Sequence, residues 1–252
     1  MTKPKQNTLF VASLAKGLRI LRAFDHTNTE LSLATLAKIT GLDKSAVQRL
    51  ANTLHVEGML DKDPVTRLYR PSHAWLRLAY AYYWSDPLVA RAMPKLIDLS
   101  QRIGETVNLA ELSGQDIIYA ARLPCKRTIF AASVPGRSVP ALSISAGQVI
   151  VATFPQQERE DAIHNWRLRA QTPRTTLDRA KIADQIEAAA QTGYAITYDQ
   201  MILDEVGIAC VIRGPDGRGC AAVHCSVSAH HWDDARIRTE ILPWLQDTAN
   251  AI

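Results

Sequence analysis

Apolar and polar positions change rhythm along this chain, and the changes mark its elements. Leu33, Leu36 and Ala37 recur at i, i+3 and i+4, and then Thr40-Gly41-Leu42 breaks the pattern. Beyond the break Val47, Leu50, Ala51 and Leu54 repeat at i, i+3, i+4 and i+7. Such spacing predicts two short helices, each with one buried face. Gly41 takes the positive φ after a helix end at least cost. Asp43 stands where an N-cap accepts from free backbone N–H groups. Small Ala37, four residues before Gly41, lets the helices approach, and Val47 fills the gap between them. The second helix turns Lys44, Ser45, Gln48, Arg49 and Asn52 outward, side chains that reach phosphates and base edges from the major groove. This is a helix-turn-helix pattern, although two amphipathic helices about a glycine also occur in domains that bind no DNA.

A hairpin follows: residues 58–62, the turn Asp63-Pro64-Val65-Thr66, then residues 67–70. It makes the motif a winged one, with Arg67 near the wing tip, Arg70 behind it and Pro71 ending the strand. Upstream, residues 1–8 read as a disordered arm. Ser13 is the expected cap of a helix through about Ala23, with Leu14, Leu18 and Leu21 buried and Phe24 closing the stripe. The run Ser72 to Trp84, SHAWLRLAYAYYW, is apolar on nearly every side of a helix, so something must cover it. Its own subunit is one answer. A linker helix packed on a second subunit, through Trp75, Leu76, Tyr82 and Tyr83, is the sharper one.

From Asp86 the pattern predicts a second domain. A helix over 87–103 buries Leu88, Ala92, Leu96 and Leu99, and Gly104 stops it. Alternating runs at 106–112, 117–121, 128–134, 195–199, 205–213 and 220–227 predict strands, with helices near 145–154, 156–167, 177–192 and 233–251. Pro243 is a candidate kink in the last helix. The expectation is an α+β fold with a mainly antiparallel sheet, divided as residues 1–71, a linker helix 72–85, and 86–252.

Charge sharpens this division. The chain has 252 residues and a net charge of +4. Residues 1–70 hold 11 Lys+Arg against 6 Asp+Glu, the remainder 18 against 19. All the excess positive charge therefore lies with the helix-turn-helix, as phosphate neutralisation requires. No run has the length of a signal peptide core or membrane span, and Cys125, Cys210, Cys220 and Cys225 form no repeated CxxC. A cytoplasmic protein without disulfides or cofactor is expected. No nucleophile elbow, phosphate loop or His-Glu-x-x-His points to an enzyme. A metal sensor built on Cys220, His224, Cys225 and His230 or His231 is disfavoured, because a regular strand turns Cys225 away from the other two. A thiol-based redox sensor lacks a CxxC.

Over essentially its full length the chain resembles the IclR family of bacterial transcriptional regulators. The resemblance rests on Ser13-Leu14, on residues 33–37 and 44–50, on Gly104-Glu105-Thr106-Val107-Asn108-Leu109, on Gly136-Arg137 with Val139-Pro140, on Gly193-Tyr194-Ala195 and on Pro215-Asp216-Gly217. It implies a winged helix-turn-helix domain joined to a GAF-like effector-binding domain. It also implies a dimer, often within a tetramer, and an inverted-repeat operator in double-stranded DNA. Regulation of a catabolic operon by a small carboxylate, as repressor or activator, follows by the same resemblance. Family effectors sit at the start of the helix after the Val-Pro loop, here Ser143, Ser145 and Ala146, facing Thr197, Gly207, His224 and Ser226. Members that bind glyoxylate or pyruvate carry Asp, Cys, Ser and Ser at the last four positions. Three of those differ here, and Val139-Pro140-Ala141 is similar to the subgroup that senses aromatic acids. An aromatic acid is therefore the favoured effector, with a small aliphatic oxoacid as the alternative.

Overall fold

The computed structural model of the chain describes residues 9–125 and 135–252. The arm expected over 1–8 and the strand expected over 128–134 lie outside the described residues. The chain divides into two compact units, residues 1–85 and 86–252.

The first unit contains α1 (Ala12–Leu21), α2 (Leu33–Thr40), α3 (Lys44–Val56), the hairpin strands β1 (Leu60–Lys62) and β2 (Tyr69–Pro71), and α4 (Ala74–Ser85). Local chemistry makes the turn between α2 and α3. Gly41 adopts φ 66° and donates its N–H to the Ala37 carbonyl at 2.9 Å. Asp43 Oδ1 accepts from the Ala46 N–H at 2.8 Å and starts α3. Leu36, Val47 and Ala51 then close over Ile20, Leu31, Leu60 and Tyr69 in one core.

Helix α1 departs from expectation. It begins at Ala12 after an N-cap, Val11, that supplies no side-chain bond, and Ser13 lies inside its first turn. The core takes Gly17 and Ile20, with Ala23 and Phe24 beyond the helix end, while Leu14 and Leu18 are 61% and 42% exposed. The helix carries two apolar stripes and only one meets the core; periodicity does not rank them. In α4 no residue is buried. Trp75, expected at a subunit interface, is held within its own unit. Its Nε1 donates to the Met59 carbonyl at 3.0 Å, and its ring meets Phe24 edge-on at 6.4 Å.

The second unit opens with α5 (Pro87–Ile103) and holds an antiparallel sheet of β3 (Thr106–Ser113), β4 (Asp116–Leu123), β5 (Ser138–Pro140), β6 (Tyr194–Tyr198), β7 (Glu205–Arg213) and β8 (Gly219–Ser228). Its order is β5-β4-β3-β8-β7-β6. Asp86 caps α5 by accepting from the Leu88 and Val89 amides. The buried face of α5 is Val89, Ala92, Leu96 and Leu99 rather than Leu88, which sits about 100° round the helix from Val89. On one sheet face Ala110, Tyr119, Ala209, Val211 and Ala222 pack with α6 (Ser145–Val151) and α8 (Arg179–Thr192). The pleat turns the intervening residues to the other side, where α5 and α10 (Leu242–Ala251) pack. The polar α7 (Gln156–Asn165) lies against α8.

Helix α6 sits tightly on the preceding 3-10 turn, Ala141–Ser143. A Cβ on Gly147 would stand 2.0 Å from the Ala141 carbonyl oxygen, so only glycine allows this approach. At the C-terminus, α9 (Asp234–Arg236) runs through a π turn, Ile237–Ile241, into α10. The wider turn lies just ahead of Pro243, whose missing N–H and bulky ring would disrupt a regular α-helix.

Candidate nucleic-acid interface and ligand pocket

Along α3, Ser45, Gln48, Arg49 and Asn52 follow one another at i, i+3, i+4 and i+7 and are exposed, as is Lys44 at the helix start. Val47 and Ala51, on the opposite side, are fully buried. The core therefore holds the helix with its polar face outward. In the wing, Asp63 Oδ1 accepts from the Val65 and Thr66 amides at 2.8 and 2.7 Å. These bonds, that of Thr66 first, hold the Asp63 carboxyl below its usual range. The turn they set leaves Arg67 exposed with φ 62°, a left-handed conformation that costs a non-glycine residue about 1 kcal/mol. Arg70 is engaged differently. It lies 3.7 Å from the Asp61 carboxylate and 4.0 Å from that of Glu30.

In the second unit a narrow pocket with a volume of about 10 Å³ opens between the sheet and the start of α6. Thr197, Gly207 and His224 line it together with Tyr119 and Glu205, and Ile144 and Met201 add apolar wall. Strand pairing sets Thr197 opposite Gly207. The absent side chain of Gly207 makes the room. A Cβ there would meet His224 Nε2 at 3.0 Å and both Ser145 Oγ and Thr197 Oγ1 at 3.2 Å. Three polar atoms thus converge on one point. Ser145 Oγ is buried and makes no hydrogen bond among the described residues, whereas the Ser145 N–H is already given to Thr197 Oγ1 at 3.3 Å.

Of the seven effector positions expected from sequence, Thr197, Gly207, His224 and Ser145 are brought together here. Ser226 pairs with Gly207 across β7 and β8 and is half-buried. Ser143 and Ala146 are buried but do not line the pocket; Ser143 lies in the 3-10 turn that α6 covers.

The sequence reading missed the polar group behind His224. Asn108 is fully buried on β3; it bonds to His224 Nδ1 at 2.9 Å and accepts from Arg122 at 2.8 Å. Arg122 also stacks 5.5 Å from the Tyr119 ring centroid, and Tyr119 lies 5.5 Å from the His224 ring. Burial, then the Arg122 charge, lowers the His224 pKa to about 3. Burial raises those of Tyr119 and Glu205, the latter against the opposing pull of Arg122 and Arg137. The signal was present: Asn108 stands between Val107 and Leu109 and Arg122 between Ala121 and Leu123, polar residues set in apolar runs.

Cys225 is buried and Cys220 exposed, and His224 Nδ1 is committed to Asn108. Burial pushes the Cys210 thiol up to about 12 and raises the Cys225 thiol well above its ordinary value. Among the described residues no group of three or more His, Cys, Asp or Glu side chains is placed to hold a metal, and no helix is long and apolar enough to cross a membrane.

Comparison with known proteins follows these two units. The IclR helix-turn-helix domain pattern matches residues 13–64, and that of the bacterial transcriptional regulator IclR C-terminal region matches residues 80–252. The Pca regulon regulatory protein of Pseudomonas putida is 29% identical over 94% of this chain and 81% of its own length. The p-hydroxybenzoate hydroxylase transcriptional activator of Acinetobacter baylyi is 26% identical over 96% of this chain and 91% of its own. An IclR homolog from Microbacterium hydrocarbonoxydans, crystallised with 4-hydroxybenzoate, shares the fold at a TM-score of 0.76. It is 19% identical, covering 95% of this chain and 97% of its own.

Proposed function

Because the chain belongs to the IclR family of bacterial transcriptional regulators, DNA-binding proteins with an effector-binding C-terminal domain, we propose that it regulates a catabolic operon in response to a small carboxylate, an aromatic acid by preference. It is a regulator and not an enzyme. Lys44, Ser45, Gln48 and Arg49 on α3, with Arg67 and Arg70 on the wing, are the proposed DNA contacts. Their support is the outward polar face of α3 and the excess positive charge of residues 1–70. Residues 1–71 form the DNA-binding domain, 72–85 the linker helix and 86–252 the effector domain in this reading.

The proposed dimer forms through α4, using Leu76, Tyr82 and Tyr83, and pairs of dimers form a tetramer. The exposure of Leu76 at 70% and Trp84 at 77% supports this, since an isolated surface helix gains nothing from such residues. A two-fold dimer calls for an inverted-repeat operator.

The observation that carries the effector reading is the convergence of His224 Nε2, Ser145 Oγ and Thr197 Oγ1 at Gly207, beside the Tyr119 ring. Named roles of two relatives and the ligand of the Microbacterium protein incline it toward an aromatic acid. The pocket's room, about 10 Å³ and so about that of one water, favours one other reading, a short aliphatic oxoacid, because the smaller ligand needs less opening. A gel-shift series on the chain's own promoter region, with 4-hydroxybenzoate and pyruvate as additions, tests both. The reading expects preference over random competitor and a shift of that preference by one of the acids. Equal binding to random DNA would overturn the regulator assignment to these contacts, and indifference to both acids the effector class.

A further inference from the structure

Asn108 on β3 lies opposite Arg122 on β4 and opposite His224 on β8, so the three side chains form a row across the sheet. A guanidinium only donates. Its bond to Asn108 Oδ1, at 2.8 Å, therefore fixes which end of the amide is oxygen. The amide nitrogen is thereby turned to His224, 2.9 Å from Nδ1, and it too only donates. Nδ1 must accept. A neutral imidazole that accepts at Nδ1 carries its proton at Nε2, and His224 is neutral at pH 7 because its pKa is lowered to about 3. Nε2 is the nitrogen that faces the Gly207 cradle.

We infer that Arg122 and Asn108 are positioning residues that hold His224 as the Nε2–H tautomer, so that the pocket presents a hydrogen-bond donor and selects a ligand atom that only accepts, a carboxylate or carbonyl oxygen. The ligand half of this inference rests on the effector reading above; the tautomer half stands without it. The rest of the cradle agrees. Thr197 Oγ1 already accepts the Ser145 N–H, which frees its own proton to point elsewhere, and Ser145 Oγ has a proton to give. Nε2–H can only donate and both hydroxyls can turn their protons to the same point, which suits an oxygen lone pair, whereas a ligand N–H placed against Nε2 would leave two buried donors facing one another.

The test is nitrogen-15 NMR of histidine side chains in the full-length, ligand-free protein, with the His224 signals assigned by their loss in His224→Gln. Protonated Nε2 with unprotonated Nδ1 is expected. A proton on Nδ1, or on both nitrogens at pH 7, would overturn the inference. In Asn108→Asp the replaced amide can only accept, so Nδ1 should gain a proton. In Arg122→Met the amide is released and both tautomers should appear, while Arg122→Lys, which restores a donor to Asn108 Oδ1, should return the single tautomer. A variant series that leaves the His224 pattern unchanged would remove both residues from this role. Calorimetry with 4-hydroxybenzoate and 4-hydroxybenzamidine reads the ligand half. The wild type should favour the carboxylate, and Asn108→Asp should lose about 10- to 100-fold of that affinity. Binding of the amidine in preference would overturn the donor assignment. If neither probe binds while the NMR result holds, the aromatic-acid reading fails and the tautomer lock stands.

Discussion

His224 Nε2 stands 3.0 Å from the point where a side-chain carbon on Gly207 would sit. Gly207 has no left-handed φ to protect, so alanine fits the backbone and tests only the space. Gly207→Ala should cost about 1–3 kcal/mol of stability through overpacking. It should also reduce effector affinity by about tenfold or more while DNA binding in the absence of effector persists. Calorimetry beside a gel shift separates the two; undiminished effector affinity would place the ligand elsewhere.

Arg67 combines a left-handed backbone with a wing-tip charge, and the two can be pulled apart. Arg67→Gly should stabilise the protein by about 0.5 kcal/mol, because relief of the backbone at φ 62° outweighs glycine's greater freedom in the unfolded chain. The same change should weaken binding to every DNA sequence alike and flatten the salt dependence by about one unit of slope. Denaturant unfolding and salt-titrated gel shifts measure the opposite signs.

Gln48 is the residue on the α3 face best suited to read a base, since its amide pairs bidentately with adenine. Gln48→Ala should relax sequence preference with little change in binding to random DNA. An unaltered preference, measured by selection from a randomised operator pool, would assign base reading to another residue of the face.

The His224 pKa predicts how stability varies with pH. Its folded value, about 3, lies below the ordinary 6.5. Its contribution is therefore complete above about pH 6.5 and is lost as pH falls, by about 1.4 kcal/mol per unit. Glu205, raised by burial, acts with the opposite sign and gains stability on protonation. Unfolding free energies between about pH 7 and pH 4.5 should fall less steeply in His224→Gln than in the wild type. Parallel slopes would mean that His224 is charged or absent from this balance.

The first unit was legible because its determinants are local. Gly41 and Asp43 make their bonds within four residues, and the Val47–Ala51 face follows from helical period alone. Helix α1 was misread because Leu14-Leu18 and Gly17-Ile20 are rival stripes on one helix, and the choice is made by packing partners far along the chain. The pocket was half legible. Period-2 alternation of the sequence puts Cys220, Ala222, His224 and Ser226 on one face, but the partner of His224 lies 116 residues away. No local pattern connects Asn108 to it, or shows that Ser143 turns beneath α6 rather than into the cavity.

Helix α4 leaves Leu76, Leu78, Tyr80 and Trp84 facing solvent in a single copy of the chain. A regulator whose copies pair through that helix would occupy its operator in proportion to the square of its concentration whenever monomers predominate. Doubling its synthesis would then quadruple occupancy at low abundance, which makes the sticky face of one short helix a source of threshold behaviour in gene control.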